Sequence, residues 1–406
     1  MTFFKEIKDE TISGVAYKNV YLKKSVISYL ANNGIGTIPE LSKEFNLSVP
    51  KVTSIITDLI TDGLIKDHGK LGSKGGRRPN TYGLIAESGF FLGVDVKQGH
   101  INMGLMDLQK KLIKNSDNIP YQLSNNQDSL KELCKLIKAF IKETGIPTIK
   151  ILGLGLNLSG RINYETGYSY SFFNFNEDPL SKIIESEIGL KTFLENDSRA
   201  MAYGEFNAGI VNGEKNVIYL NLDHGLGMGL MINSQLYYGK SGFAGEFGHI
   251  PIFNNEIICH CGKKGCLETE ASGRALTALF KEKIQNGSTS VIITNKKSLQ
   301  DIQLEDIIAA AHNDDVLSIE LLAQIGEKLG RGIALLINLF NPELLILGGR
   351  LAGTGDYLRL PIKSAINKYS LSLVNNDTQL KVSKLGERAG VTGACLLVRH
   401  RVLDLN

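Results

Sequence analysis

Residues 259 to 268 read C-H-C-G-K-K-G-C-L-E, and His249 stands ten residues before Cys259, inside G-E-F-G-H at 245 to 249. Three of the chain's five cysteines therefore fall within eight positions. That spacing suits a four-ligand zinc site closed by short loops, with His249, Cys259, Cys261 and Cys266 as ligands. Gly262 and Gly265 allow the turn between Cys261 and Cys266 to bring both sulfurs toward one ion. The bland alternative is a surface loop of free or disulfide-linked cysteines. Neighbouring side chains in an extended turn point apart, so His260 is expected to face away from the metal.

A length of 406 residues predicts two or three cores, and 43% hydrophobic with 21% charged residues is a soluble, globular composition. No apolar run approaches the roughly 18 to 20 residues of a membrane span. The segment Met1 to Glu10 mixes aromatic and charged residues and lacks a secretion signal's apolar core. The expectation is a cytoplasmic protein with no membrane partner, whose reduced cysteines hold metal. Net charge is only +3, yet residues 1 to 85 carry 12 Lys/Arg against 8 Asp/Glu, leaving 33 against 34 beyond. The basic excess thus lies in the N-terminal fifth.

In that fifth, Leu22, Val26, Ile27 and Leu30 recur at helical spacing between Tyr21 and Asn32, and Asn33-Gly34 is a stop signal. A short helix is predicted from about Ile38 to Phe45, then a turn, then a third helix opening at Ser48 and running to about Asp62. This is the helix-turn-helix pattern. Val52, Ile55, Ile56, Leu59 and Ile60 are expected to face the core. Ser48, Pro50, Lys51, Thr53 and Ser54 are then left to meet base edges and phosphates. The run G-K-L-G-S-K-G-G-R-R-P-N-T-Y at 69 to 82 comes after a strand, and residues 66 to 82 hold five basic residues and one acidic one. It reads as a basic wing in which Lys74, Arg77 and Arg78 reach a groove or its phosphates. Residues 1–85 are therefore predicted to be a winged helix-turn-helix DNA-binding domain, the alternative being a helical protein-interaction module with a basic loop.

Beyond Tyr82 strands and helices alternate, which indicates α/β architecture. Strands are predicted at Phe90 to Val96, Ile101 to Leu108, Lys111 to Ile119, Ile149 to Leu156 and Thr192 to Glu195. Helices fall at about Ser129 to Glu143 and Leu180 to Ile188. The pattern restarts at Asn216 to Leu222 and Gly227 to Ile232, adds Leu344 to Leu347 and Gln379 to Ser383, and closes on a helix from Gly393 to Val402. Two copies of three strands followed by helix and strand resemble the actin-like, ribonuclease H-type duplication. Cys134 and Cys395 fall on apolar helical faces and are read as packing residues.

G-E-F-G-H, C-H-C-G-K-K-G-C-L-E, E-N-D-S-R-A at 195 to 200 and N-P-E-L-L-I-L-G-G at 341 to 349 resemble the signature blocks of the ROK family of bacterial sugar kinases and sugar-responsive regulators. The head, with its G-S-K-G-G-R-R-P wing, is similar to that of the family's transcription factors, its xylose and N-acetylglucosamine repressors above all. The resemblance implies a sugar-binding, kinase-like, two-lobed domain over 86–406 with a structural zinc (Zn2+) knuckle at 249–266. It also implies sugar contacts from Gly160, Arg161, Asn196, Asp197, Glu246, His249 and Glu268, with Asp197 as the base were the chain a kinase.

Family kinases grip nucleotide phosphates with D-x-G-G-T-K, where this chain has D-V-K-Q-G-H at 95 to 100. Their second loop, G-T-G-x-G-G-G, is replaced by D-H-G-L-G-M-G at 223 to 229. A carboxylate facing a triphosphate is unfavourable, so nucleotide binding is expected to be lost or weak. The resulting expectation is a sugar-responsive transcriptional regulator, a repressor, that binds operator DNA as a homodimer or homotetramer and responds to a monosaccharide or sugar phosphate. The rivals are an ATP-dependent hexose or N-acetylhexosamine kinase and a regulator that answers to a partner protein.

Overall fold

The computed structural model describes residues 3, 4, 6, 13–70, 79–294 and 298–403. Contacts divide the chain into two compact units, Met1–Asp197 with Gly390–Asn406, and Ser198–Ala389.

The first unit opens with α1 (Gly14–Asn33), β1 (Ile35–Thr37), α2 (Ile38–Glu44), α3 (Val49–Thr61) and the hairpin of β2 (Ile65–Lys70) and β3 (Asn80–Leu84). The strands form one sheet in the order β1-β3-β2. This is a winged helix. A capping box starts α2: the Glu40 amide donates to Thr37 Oγ1 at 3.3 Å and the Thr37 amide donates to Glu40 Oε2 at 2.8 Å. Val52, Ile55, Ile56 and Leu59 of α3 are buried as expected, but Ile60 is 39% exposed. A helix advances about 100° per residue, and the stripe of four already fills the inward face, which turns Ile60 outward.

The winged head shares its core with the α/β part of the unit. Phe3 and Phe4 are buried, the Phe3 amide donates to Asp62 Oδ2 at 3.0 Å, and both rings join a cluster that unites Ile27, Ile56 and Leu59 with Phe91, Leu152, Val398 and Val402. One continuous apolar core thus holds the winged helix to the rest of its unit.

That remainder is a five-stranded sheet built from β4 (Phe90–Val96), β5 (His100–Asp107), β6 (Leu112–Pro120), β7 (Ile151–Leu158) and, after the small hairpin β8 (Ile162–Asn163) and β9 (Tyr168–Ser169), β10 (Thr192–Asn196). The order is β10-β7-β4-β5-β6, with β4, β7 and β10 parallel and β5 and β6 joined by hairpins. On the sheet pack α4 (Gln127–Thr144), α5 (Leu180–Ile188) and the C-terminal helix, Ala389–Leu403. Cys134 and Cys395 are buried in these interfaces, their thiols pushed up to about 11 and about 12 by burial, which suits packing rather than reactivity.

The second unit repeats the plan. It starts with α6 (Asp197–Ala208), whose first residue belongs to the first unit, and its sheet contains β11 (Val217–Leu222), β12 (Leu226–Ile232), β13 (Gln235–Leu236), β14 (Leu344–Gly348) and β15 (Gln379–Val382). The order β13-β12-β11-β14-β15, with β11, β14 and β15 parallel, matches the first sheet strand for strand. Its core is closed by α7 (Glu268–Ala271), α8 (Gly273–Gln285), α9 (Leu304–His312), the 25-residue α10 (Val316–Phe340) and α11 (Asp356–Tyr369). This duplicated sheet is the actin-like, ribonuclease H-type fold. Among the described residues no helix is long and apolar enough to cross a membrane.

One row of glycines sets how the C-terminal helix lies. Gly104, Gly93 and Gly155 stand in register across β5, β4 and β7. A Cβ on Gly155 would come within 2.5 Å of the Ala394 carbonyl oxygen, and one on Gly93 within 2.6 Å of Cys395 Sγ. Backbone cannot yield as a flexible side chain can, so Gly155→Ala is expected to cost about 1–3 kcal/mol. Urea unfolding checks this; an unchanged midpoint would contradict the packing account.

Candidate functional site

In open α/β sheets ligand-facing residues gather beyond the carboxyl ends of parallel strands. The candidate residues of the first unit lie at such strand ends. β7 ends at Leu158 and leads into Ser159, Gly160 and Arg161, while β10 ends at Asn196, followed at once by Asp197. Asn196 Nδ2 donates to the Gly160 carbonyl at 3.0 Å, and Ser159 Oγ donates to Asp197 Oδ2 at 3.1 Å. Gly160 has φ +90°, and a Cβ there would lie 2.3 Å from Ser171 Oγ, the oxygen that accepts the Arg161 amide at 3.0 Å. The geometry therefore gathers Gly160, Arg161, Asn196 and Asp197 in one corner. Ser159 and Ser171, which carry no motif that marks them in the sequence, complete it. Behind it, buried Glu195 accepts from Arg401 Nη2 of the C-terminal helix at 2.6 Å and from the Asn196 amide at 2.9 Å.

Beside the same corner stands Asp95, the penultimate residue of β4, which is wholly buried. Burial pushes its carboxyl up, and Lys97, with Nζ 3.1 Å from Asp95 Oδ2, pulls it back. Asn157 on β7 donates to the Gly390 carbonyl at 2.8 Å, so the start of the C-terminal helix is tied to these strand ends. The lysine of the first phosphate-loop counterpart is thus turned inward onto its own aspartate.

In the second unit, Glu246 precedes and His249 ends a single helical turn, Phe247–His249, and the knuckle comes next. His249, Cys259, Cys261 and Cys266 each present one ligand atom, all within 4.8 Å of one another. Cys259 Sγ lies 3.5 Å from His249 Nδ1 and Cys261 Sγ lies 3.7 Å from Cys266 Sγ. Metal–sulfur bonds of about 2.3 Å and metal–nitrogen bonds of about 2.0–2.1 Å place tetrahedral neighbours roughly 3.5–3.8 Å apart. The cluster has the dimensions of a metal site, and all five cysteines are free. His249 Nε2, on the far edge of the ring, is 3.7 Å from Glu246 Oε2.

His260 stays outside that set of four, yet it does not simply point away. Its Nδ1 is 3.0 Å from Glu268 Oε1 and 3.7 Å from Cys259 Sγ. Arg274 Nη2 donates to the same Glu268 oxygen at 2.8 Å, and the Leu226 amide donates to Oε2 at 2.9 Å. Glu268 is buried and held from three sides. A carboxylate has about four lone-pair positions, so this one retains room for about one further donor. His260 and Arg274 were invisible as partners in the sequence because the knuckle turn lies between His260 and Glu268 and the break between α7 and α8 lies between Glu268 and Arg274.

On the winged helix, Ser48, Pro50, Thr53 and Ser54 are exposed along the first turns of α3. Ser48 takes the N-cap position without a side-chain capping bond, which leaves its hydroxyl outward. Lys51 is half-buried and donates to Asn19 Oδ1 of α1 at 2.7 Å. Lys74, Arg77 and Arg78 lie outside the described residues.

A winged helix joined to a duplicated actin-like domain with a Cys/His knuckle defines a regulator built on a sugar-kinase fold. The family model described as ROK family matches residues 91–401, and the chain belongs to that family. It is 30% identical over 384 residues to the xylose repressor of Caldicellulosiruptor bescii, covering 94% of this chain and 96% of that protein. The crystal structure of a ROK family transcriptional regulator, a homolog of the E. coli MLC protein, superposes with a TM-score of 0.79 at 28% identity, covering 95% of this chain and 97% of that one. A ROK family glucokinase from Streptomyces griseus, in complex with glucose and AMPPNP, gives 0.68 at 26% identity, covering 76% of this chain and 99% of that one.

The Cys266 thiol is pushed up to about 12, first by burial and then by its neighbours Cys261 and Cys259. Metal must displace such protons, so loading weakens as pH falls. Purified protein is expected to carry about one equivalent of divalent metal and Cys261→Ser close to none by elemental analysis. A full equivalent retained by the variant would contradict the assignment of ligands.

Proposed function

We propose that the protein is a sugar-responsive transcriptional repressor of the bacterial cytoplasm, in which residues 1–85 read operator DNA and 86–406 bind the effector, a monosaccharide or sugar phosphate. The observation that carries this reading is coverage. The regulator structure accounts for 95% of the chain and the glucokinase for 76%, and the described helices and strands of a winged helix precede the kinase-like part.

Exposed Ser48, Pro50, Thr53 and Ser54 lie where a recognition helix meets the major groove, and Lys51, braced by Asn19, orients that helix on a phosphate. Lys74, Arg77 and Arg78 of the wing add basic contacts to the backbone or minor groove. A homodimer or homotetramer presents two such heads to two half-sites.

Sugar hydroxyls are bound by rigid acceptors and donors. Asn196, Asp197, Gly160 and Arg161 in one unit and Glu246, His249 and Glu268 in the other serve this purpose. The metal is zinc, which suits three thiolates and one imidazole. Held through Nδ1, His249 offers Nε2 to the sugar, and the knuckle fixes the chain that carries Glu268.

The chain is not expected to act as a kinase. Phosphoryl transfer requires phosphates to be cradled and neutralised, and both loop counterparts are occupied internally, Asp95 by Lys97 and Asp223 by Arg350.

A thermal-shift screen with monosaccharides and their phosphates tests the reading, since a ligand of the native state raises the midpoint by mass action. One class is expected to do so, with no ADP released from ATP in its presence. Turnover near about 1 s⁻¹ would instead establish a kinase. Independently, Ser54→Glu sets a carboxylate among DNA phosphates; operator affinity is expected to drop about tenfold at low salt, with melting unchanged. Unaltered affinity would remove α3 from the interface.

A further inference from the structure

In the second unit two adjacent parallel strands end together, with Asn221 of β11 in register with Gly348 of β14. Beyond β11 come Asp223 and His224, and beyond β14 come Gly349 and Arg350. Gly349, at φ +78°, turns so closely that a Cβ would sit 2.5 Å from the Leu222 carbonyl oxygen, and this turn sends Arg350 back toward Asp223. The N-terminus of the 13-residue α8 faces the same strand ends. Strand ends, a helix N-terminus and a guanidinium are together the ingredients of an anion site.

Here the ingredients are already spent on the chain itself. The Gly273 amide donates to the Asp223 carbonyl at 2.8 Å, the Arg274 amide to the His224 carbonyl at 3.1 Å, and the Ala275 amide to Ser272 Oγ at 3.2 Å. Arg350 Nε donates to both carboxylate oxygens of Asp223, at 3.0 and 3.1 Å. Its Nη2 pairs with Asp223 as well and its Nη1 with Glu305. The Asp223 and Arg350 side chains are about four-fifths buried, which shields their attraction from solvent. Asp223 is a carboxylate placed where a phosphate would be favourable.

We infer that Asp223 and Arg350 form a specificity-determining pair: the Asp223 carboxylate takes the place of a phosphate on Arg350 and so excludes nucleotides from the second unit. Effector sensing in this protein then proceeds without ATP. The inference deepens the non-enzymatic part of the proposed function and rests on it. Chemically, carboxylate and phosphate compete for the same guanidinium fork. The carboxylate is tethered and wins, and removing it frees the Nε and Nη2 edge of Arg350 for another anion while Glu305 keeps Nη1.

The test uses full-length protein and a fluorescent N-methylanthraniloyl ATP analogue with magnesium. Wild type is expected to show no saturable binding up to about 1 mM, and Asp223→Ala to bind roughly ten- to hundredfold more tightly, the worth of one or two charge-assisted contacts. Asp223→Ala/Arg350→Ala is expected to return to the wild-type level, which identifies Arg350 as the receiving cation. Asp223→Asn keeps the shape while removing the charge and gives the same comparison if the alanine variant fails to fold. Wild type binding as tightly as the variants, or folded variants gaining nothing, overturns the inference. Wild-type binding with no ADP released from ATP in the presence of any sugar overturns it alone; binding with turnover overturns the non-enzymatic reading too.

Discussion

The close seat of the C-terminal helix on the first sheet is the constraint on which the other arrangements depend. Gly104, Gly93 and Gly155 clear a lane across three strands, and Val391, Ala394, Cys395 and Val398 fill it. At its start, the Gly390 carbonyl accepts from Asn157, beside buried Asp95. At its far end, Val398, Val402 and Leu403 belong to the core that contains Phe3, Phe4 and the helices of the winged head. Arg401 reaches back to Glu195, the neighbour of Asn196. One rigid element of 15 residues, about 22 Å long, therefore touches both the strand ends that carry candidate sugar ligands and the head. A displacement at either end is transmitted through packed atoms rather than through a flexible linker.

The two units solve the same polar problem with different residues. Each sheet delivers a carboxylate to the carboxyl ends of its parallel strands, and each carboxylate is met by a cation from its own unit, Lys97 for Asp95 and Arg350 for Asp223. A buried charge without a partner is costly, so these pairs explain how the chain tolerates both carboxylates at its strand ends, Asp223 standing where its resemblance to kinases leads one to expect a glycine. Glu268 shows the same principle beside the metal knuckle, where Arg274, His260 and the Leu226 amide fix it before any ligand arrives. Such prior fixing lowers the ordering cost of binding.

Much of this was legible in the chain because the signals are local. The apolar spacing of Val52, Ile55, Ile56 and Leu59 and the Cys/His spacing of the knuckle need only neighbours in sequence, and α5 begins and ends where periodicity places it, at Leu180 and Ile188. What escaped was set by tertiary contact. β1 is three residues, Ile35–Thr37, between two helices and exists because β3 pairs with it. The hairpin Ile162–Asn163 with Tyr168–Ser169 lies in a stretch rich in Tyr, Phe and Asn that has no alternating pattern. The glycine lane depends on register between distant strands, and Arg350 finds Asp223 across 127 positions. No local rule reports either.

The central claim is that one protein binds a sugar and an operator and that each ligand weakens the other. Effector affinity measured by calorimetry with and without saturating operator duplex, paired with operator affinity measured with and without the same sugar, tests it directly. The account predicts the same factor in both directions, roughly 5- to 150-fold, because coupling free energy is reciprocal. Tight binding of both ligands with a factor of one would contradict it.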